Sequence, residues 1–338
     1  MGKDKNVLIL THPELNPLKI GLGKSKDVDS PSKTESYLFS TLKRLGFTPE
    51  FLELDSDLDP LVERVNRSPQ VHFVFNLLEE LSGEAKFDFH AISYLESKGI
   101  VFSGNGPRAL IVTRDKFLSK MIVREMGICV PSGKVIRRKV ELKKISFPFP
   151  WFLKLNMEDA SFGISQFNRV NTISEAEEVF DQLRSLSTVG IIVEEFIEGA
   201  DLSFSVIGNE KPQVFPAREL KFPNSKWVAG ENVKFKSSLR KKEGIRSVSS
   251  KWKSQKEELQ AKKKVQDIYT GLKMRGYGRL DFRRSKEGKL YFLEANANPD
   301  LAKDEDFAMS ARAAGISYEQ LILKLMRFSK TPAKIFAK

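Results

Sequence analysis

Two short segments carry oxygen and nitrogen groups at strand spacing: Gly278-Arg279-Leu280-Asp281-Phe282 and Leu293-Glu294-Ala295-Asn296-Ala297-Asn298-Pro299. Between them runs the polar stretch 283–289, with a single glycine at Gly288. A two-residue turn at Glu287-Gly288 would pair Lys286 with Lys289, setting Asp281 opposite Glu294 and Arg279 opposite Asn296. Because side chains alternate along a strand, Leu280, Phe282, Leu293 and Ala295 would then share a core face. The other face would collect two carboxylates, an amide oxygen and a guanidinium. Facing carboxylates on neighbouring strands stand about 4.5–5.5 Å apart at Cβ and repel unless a cation offsets them. Hard oxygen ligands at that spacing suit Mg²⁺, which takes one or two carboxylates plus substrate phosphates. A solvated hairpin with exposed ion pairs among Arg279, Asp281, Arg283 and Glu294 is the plainer reading of the same residues, and such pairs contribute little.

Further groups suit a nucleotide. Lys154 sits in the otherwise apolar run Trp151-Phe152-Leu153-Lys154-Leu155, ahead of the small-residue loop Glu158–Ser165. A lysine at a strand end can hold phosphate oxygens while loop N–H groups add donors; a surface lysine at a frayed strand end looks similar. Glu194-Glu195-Phe196-Ile197-Glu198-Gly199-Ala200-Asp201 ends an apolar strand in acceptors and a turn. Such a segment can offer backbone groups to adenine and a carboxylate to ribose, although any acidic turn resembles it. No Gly-x-x-x-x-Gly-Lys-Ser/Thr loop and no Gly-x-Gly-x-x-Gly fingerprint occur. His12, His72 and His90 lack zinc-ligand spacing.

The elements that must position these groups fall into a pattern. Residues 6–105 alternate strands (Val7–Leu10, Pro49–Leu54, Val71–Leu77, Ile100–Phe102) with helices near Lys33–Leu45 and Phe87–Lys98, the rhythm of a parallel sheet. Ser103-Gly104-Asn105-Gly106-Pro107 punctuates its end. A helix is expected over Asp115–Met126, and strands over Trp151–Leu155, Ile191–Phe196 and Leu202–Gly208. Further helices are expected over Ser174–Leu186, with Ser174 as N-cap and Glu177 three residues on, within Trp252–Met274, and over Phe307–Ala314 and Tyr318–Phe328. The tail Thr331–Lys338 reads as frayed.

With 338 residues and 41% hydrophobic content the chain can bury two or three cores. The single Cys129 excludes an internal disulfide framework and fits a reducing interior. Only four apolar residues, Val7–Leu10, follow the N-terminal polar stretch, too few for a signal peptide or membrane span, so a cytoplasmic protein is expected. The net charge of +12 concentrates in Lys234–Lys264, interleaved with Glu243, Glu257 and Glu258. That suits a basic loop and a solvated helix face better than a nucleic-acid patch, since no nucleic-acid-binding signature accompanies it.

The order of the pieces carries a resemblance. It runs from Thr113-Arg114-Asp115-Lys116 through Lys154 and its loop, Glu194–Asp201 and Val233-Lys234-Phe235, to Arg279-x-Asp281 and Glu294-x-Asn296-x-Asn298-Pro299. Together with Phe307–Tyr318 this resembles the D-alanine–D-alanine ligase-like branch of the ATP-grasp superfamily, over roughly residues 70–328. The resemblance implies an α/β and α+β chain: an N-terminal parallel α/β (pre-ATP-grasp) domain over 1–107, a central ATP-grasp lobe over 108–190 and a C-terminal lobe over 191–330. It implies ATP and two Mg²⁺ ions, with Mn²⁺ able to substitute. It also implies a carboxylate phosphorylated to an acyl phosphate, and an amine that displaces phosphate. Carried onto this sequence, Asp281, Glu294 and Asn296 would be metal ligands, while Arg279, Lys154 and Glu84 would serve the reacting groups. Lys116, Lys154, Ser161 and Lys234 would contact phosphates; Glu194, Glu195, Phe196 and Ile197 adenine; Asp201 ribose. Small carboxylate and amine substrates and a homodimer are further implications; no nucleic acid or membrane partner is expected.

Departures lie on the substrate side. Thr11–Ser36 lacks the branch's Gly-rich segment, Pro299-Asp300 replaces Pro-Gly, and Glu305 aligns near a serine that binds the terminal carboxylate. An acid at 305 is expected to repel a substrate carboxylate and favour an amine. A nucleotide-binding protein that has lost ligase chemistry is therefore the alternative.

Overall fold

The computed structural model of the chain describes residues 5–20, 30–158, 166–186, 189–223, 240 and 242–329. Its first sheet is parallel, in the order β2-β1-β3: β1 is Asn6–Thr11, β2 Thr48–Glu53 and β3 Phe73–Asn76. These strands alternate with α1 (Lys33–Arg44), α2 (Asp59–Val65) and α3 (Phe89–Ser97). The strand expected at Ile100–Phe102 contracts to one bridge between Val74 and Phe102. Beyond it the punctuation at Gly106-Pro107 begins a helix instead, α4 (Pro107–Arg114), with proline at the first turn where its missing N–H has no partner to lose. Asp115 then caps α5 (Lys116–Glu125), its carboxylate accepting the Leu118 N–H at 2.9 Å.

The second sheet, antiparallel, runs β4-β7-β5-β6: β4 is Gly133–Ile136, β5 Trp151–Leu155, β6 Arg169–Val170 and β7 Ile191–Glu195. Against it lies α6 (Ile173–Leu186). Its cap falls two residues before the expected Ser174: the Thr172 hydroxyl accepts the Glu175 N–H, and the Glu175 carboxylate accepts the Asn171 N–H. The third sheet runs β11-β10-β8-β12-β13, with β9 paired to the end of β8. Its strands are β8 (Gly199–Ile207), β9 (Gln213–Val214), β10 (Arg218–Lys221), β11 (Arg246–Ser249), β12 (Tyr277–Ser285) and β13 (Leu290–Asn296). Further helices are α7 (Gln255–Gly271), capped by Ser254, α8 (Asp306–Ala313) and α9 (Tyr318–Ser329).

Burial sorts these elements into three cores. The second sheet and α6 share one of their own, around Trp151, Leu153, Val179 and Phe180. The first and third sheets are joined: Leu10, Val74, Leu110, Val123, Phe204, Phe282 and Phe292 lie in one continuous cluster. A second such cluster joins Ile9 and Phe75 to Tyr277 and Phe307. The buried apolar side chains of residues 107–125, Ala109, Leu110 and Val123, belong to the cluster of the first and third sheets, while Lys120 pairs with Glu194 of β7 and the Phe117 N–H donates to Asn156 beyond β5. Among the described residues no helix is long and apolar enough to cross a membrane.

Candidate active site

β12 is the most firmly held strand near the candidate groups, paired along its length to β8 on one side and β13 on the other. Phe282 anchors it from below, with ring centroids 5.3 Å from Phe204 and 5.7 Å from Phe292, both edge-on. At the site end Arg279 faces Asn296 and Asp281 faces Glu294, in the expected register. The route to that register differs from the expected one. The turn has three residues, 286–288: the Ser285 N–H donates to the Lys289 carbonyl at 2.9 Å, and Gly288 sits at φ +90°. This moves the pairing by one residue, so that Phe282 faces Phe292. A bulge between Asp281 and Phe282 restores it. The extra residue is Leu293, expected in the core; it lines the cavity instead, while Phe292 takes the core position.

The charges on this face are enclosed. The Arg279 guanidinium holds both oxygens of Asp281, Nε–Oδ1 at 2.8 Å and the second nitrogen to Oδ2 at 2.9 Å, with 20% and 18% of the two side chains exposed. Burial works against the guanidinium's charge, but Asp281, with Asp306 and Glu294 behind it, keeps Arg279 protonated well above its usual range. The exposed-hairpin reading therefore does not fit. From β5, the buried Lys154 reaches across to β13, its Nζ 3.5 Å from Glu294 and 3.4 Å from Glu194. Lys120, one turn beyond Lys116 on α5, stands 2.6 Å from the other Glu194 oxygen. Burial would raise the Glu194 carboxyl, yet Lys120 and Lys154 hold it below its usual range. Burial would equally lower Lys154, but Glu194 and Glu294 keep it raised. Lys120 is the member that yields: burial, offset only in part by Glu194 and aided by Lys154, lowers it to about 8.

Apart from Lys120, these groups line a cavity of about 680 Å³ between the second and third sheets that extends to the carboxyl ends of β1 and β3. Volume of that order suits a ligand of nucleotide size. Lys154, Arg279, Asp281, Glu294 and Asn296 all line it, as do Glu194, Glu195, Phe196, Ile197 and Asp201. The oxygen donors fit a hard cation only in part: among the described residues no three His, Cys, Asp or Glu side chains gather closely enough to hold a metal alone. Two carboxylates and an amide oxygen fit Mg²⁺ when phosphates complete the shell.

Other expectations meet the structure differently. Glu84 does not line the cavity; the turn Leu81–Glu84 closes on itself through left-handed Ser82 and Gly83, and the half-exposed carboxylate stands 3.1 Å from Lys86. Lys116 is buried beneath the start of the expected loop, donating to the Glu158 carbonyl, and also lies off the cavity lining. Ser161, with most of its loop, and Lys234 lie outside the described residues. Glu305 does not present a bare negative charge: Lys33 and Arg240 each stand 2.7 Å from it. Arg283, Lys33 and Glu35 are among the cavity residues not expected at the site. Arg283 binds both oxygens of Asp201 at 2.6 and 2.8 Å, donates to the Ile197 carbonyl at 3.2 Å and stacks on Phe196 at 4.6 Å. Strand alternation places it on the face of Arg279 and Asp281, a signal present in the sequence. Lys33 and Glu35 come from α1, and nothing local marks them.

A nucleotide-sized cavity between two antiparallel sheets, with a parallel α/β sheet alongside, defines an ATP-grasp fold. The chain belongs to the family described as D-ala D-ala ligase C-terminus, which matches residues 122–327, more than half of its length. The D-alanine–D-alanine ligase of Pelotomaculum thermopropionicum is 25% identical over 325 residues, covering 92% of this chain and 96% of that one. Two solved structures share the fold: the Bacillus anthracis D-alanine–D-alanine ligase complexed with ATP (TM-score 0.72, 19% identity, 97% of each chain), and the VanG D-Ala:D-Ser ligase of Enterococcus faecalis (TM-score 0.75, 18% identity, 97% of this chain and 100% of that one).

Proposed function

We propose that this protein is an ATP- and Mg²⁺-dependent carboxylate–amine ligase that forms an amide or peptide bond through an acyl phosphate. The observation that carries the reading is the juxtaposition of Asp281 and Glu294 across β12–β13, on a cavity-lining face shared with Arg279 and Asn296. Bound Mg²⁺ would supply neutralisation of the phosphate charge, held by Asp281, Glu294 and Asn296. Lys154 serves the transferring phosphate from the opposite sheet, and its two carboxylate partners keep it charged for that task. Arg279 serves the oxyanion of the tetrahedral intermediate, since it points into the same space and stays protonated. The Glu195–Ile197 backbone would read adenine, and Asp201, oriented by Arg283, ribose. Lys116, Ser161 and Lys234 remain proposed phosphate contacts and Glu84 a proposed outer residue. The division into 1–107, 108–190 and 191–330 belongs to the same proposal, except that β7 (Ile191–Glu195) pairs with β4 and β5 and so goes with the central lobe.

The test is release of ADP and phosphate from ATP with pooled carboxylic acids, amino acids and amines. Turnover should require both an acid and an amine, and Asp281→Asn with Glu294→Gln should abolish it. Substrate-stimulated turnover surviving in that double variant refutes the assignment. A second reading, nucleotide binding without ligation, is favoured by Asp300, whose carboxylate adds negative charge beside the expected oxyanion, and it predicts stabilisation by Mg-ADP without turnover on any pool.

A further inference from the structure

Lys120 is a buried charge that the chemistry above leaves unused. It stands on α5, is 1% exposed and lies off the cavity lining. Among the described residues its one ion-pair partner is Glu194, whose Oε1 is 2.6 Å from the Lys120 Nζ. Neither atom has a hydrogen-bond partner, so charge rather than an aligned hydrogen bond holds the contact. Glu194 turns Oε2 to Lys154 at 3.4 Å, and Lys154 reaches Glu294 at 3.5 Å. Charges of alternating sign therefore run from α5 through β7 and β5 to β13, in the order Lys120, Glu194, Lys154, Glu294. The last three line the cavity. Both Lys154 distances exceed the about 2.7–2.9 Å of a charge-assisted hydrogen bond, and they are nearly equal. The Lys154 ammonium thus stands between two carboxylates and closes on neither, while Glu194 leans to Lys120.

We propose that Lys120 is a positioning residue for the phosphate contact of Lys154: holding Glu194 from behind the cavity wall, it keeps the Lys154 ammonium from closing on Glu194 and leaves it able to turn to a phosphate. The inference rests on the ligase reading above, in which Lys154 meets the transferring phosphate, and adds a residue that touches neither nucleotide nor substrate. A buried carboxylate stripped of one cation draws more strongly on the other. With Lys120 uncharged, Glu194 has Lys154 alone, and a phosphate must then compete with a full carboxylate for that ammonium. The nucleoside end of the ligand meets no such competitor. Loss of the Lys120 charge therefore weakens binding through the phosphates selectively, whereas a residue that merely supports the fold would weaken both ends alike. The helix keeps its anchor in either case, since Val123 on α5 is fully buried in the cluster shared by the first and third sheets.

The test is calorimetry on the full chain with the β,γ-imido analogue of ATP and Mg²⁺, and with adenosine, whose affinity is read from its displacement of the analogue. Lys120→Met keeps the length of the side chain without its charge. It should lower the analogue-to-adenosine affinity ratio at least about tenfold, about 1.4 kcal/mol. In a Glu194→Gln background, where that carboxylate no longer competes for Lys154, the same substitution should leave the ratio unchanged; taking the ratio cancels any effect on adenine. Should Lys120→Met fail to melt cooperatively, Lys120→Gln, whose amide can still donate to Glu194, takes its place with the same expected direction. An unchanged ratio in the single variant, an equal effect of Lys120 in both backgrounds, or no binding of the analogue by wild type overturns the proposal. Failure of ligation alone is read separately, as absence of ADP formation from ATP, and leaves this binding result intact.

Discussion

Arg279 and Lys154 are the cations that let Asp281 and Glu294 face each other in a largely enclosed space, one from the same strand and one from the opposite sheet. Arg279 matches the Asp281 carboxylate with two parallel N–H bonds, which a lysine cannot reproduce. Arg279→Lys should therefore lower kcat by roughly 10²–10³-fold, the cost of losing an oxyanion donor, with the nucleotide KM changed much less, in steady-state ADP release. Glu35 gives a second prediction. Its carboxyl is raised to about 8 in the folded chain, so the unfolded form releases its proton at lower pH than the folded form does. Stability linked to it is complete below the ordinary carboxylate range and is lost as pH rises towards 8, by up to about 1.4 kcal/mol per pH unit. Urea midpoints of wild type should fall relative to Glu35→Gln over that window; parallel curves would contradict the account. At this scale the sequence was legible where spacing alone defines a face, as for Arg279, Asp281, Glu294 and Asn296. It was not legible for Glu35 or Lys33, because what makes them part of the site is the approach of their helix to residues beyond β13: Lys33 reaches Glu305 and Thr34 reaches Asp300, more than 260 residues away in the chain.

The β12–β13 ribbon reaches its expected register through two compensating irregularities, a three-residue turn and a bulge at Leu293. Sequence pattern alone favours the shorter turn, since Glu287-Gly288 fits a two-residue loop and hides the extra residue in an apolar strand. The bulge has a chemical consequence, because it turns Leu293 from the core to the cavity wall. Gly288 at φ +90° is the residue the turn requires. Gly288→Ala should cost about 1–2 kcal/mol in urea denaturation while kcat stays near wild type, since the turn lies at the far end of the ribbon. The strands absent from the sequence reading, β4, β6, β9, β10 and β11, are two to four residues each. Their own residues specify them weakly, and pairing makes them strands: β4 with β7, β6 with β5, β9 and β10 with β8, and β11 with β10. Helices were the more legible elements: α1, α5, α8 and α9 carry their apolar periodicity locally, and only their caps shifted.

The molecule combines a second sheet with its own core and a first and third sheet that share theirs, with the cavity walled by residues of all three. A ligand there contacts residues from all of these parts, so Mg-ADP at 100 times its Kd should add about 2.7 kcal/mol to unfolding stability. Scanning calorimetry checks this, and an unchanged melting temperature would contradict it. The fold class was legible because the βαβ rhythm and the order of charged motifs are both long-range patterns in one dimension. The packing of the buried apolar side chains of residues 107–125 with the first and third sheets was not, since core membership depends on contacts that no local pattern records. The central claim is that one face of the β12–β13 ribbon gathers oxygen donors to seat divalent cations against a nucleotide. Its most direct test is the calorimetric affinity for ADP with and without Mg²⁺, in wild type and in Asp281→Asn/Glu294→Gln. Mg²⁺ should tighten ADP binding in wild type and make no difference in the double variant; tightening that survives the loss of both carboxylates would contradict the account.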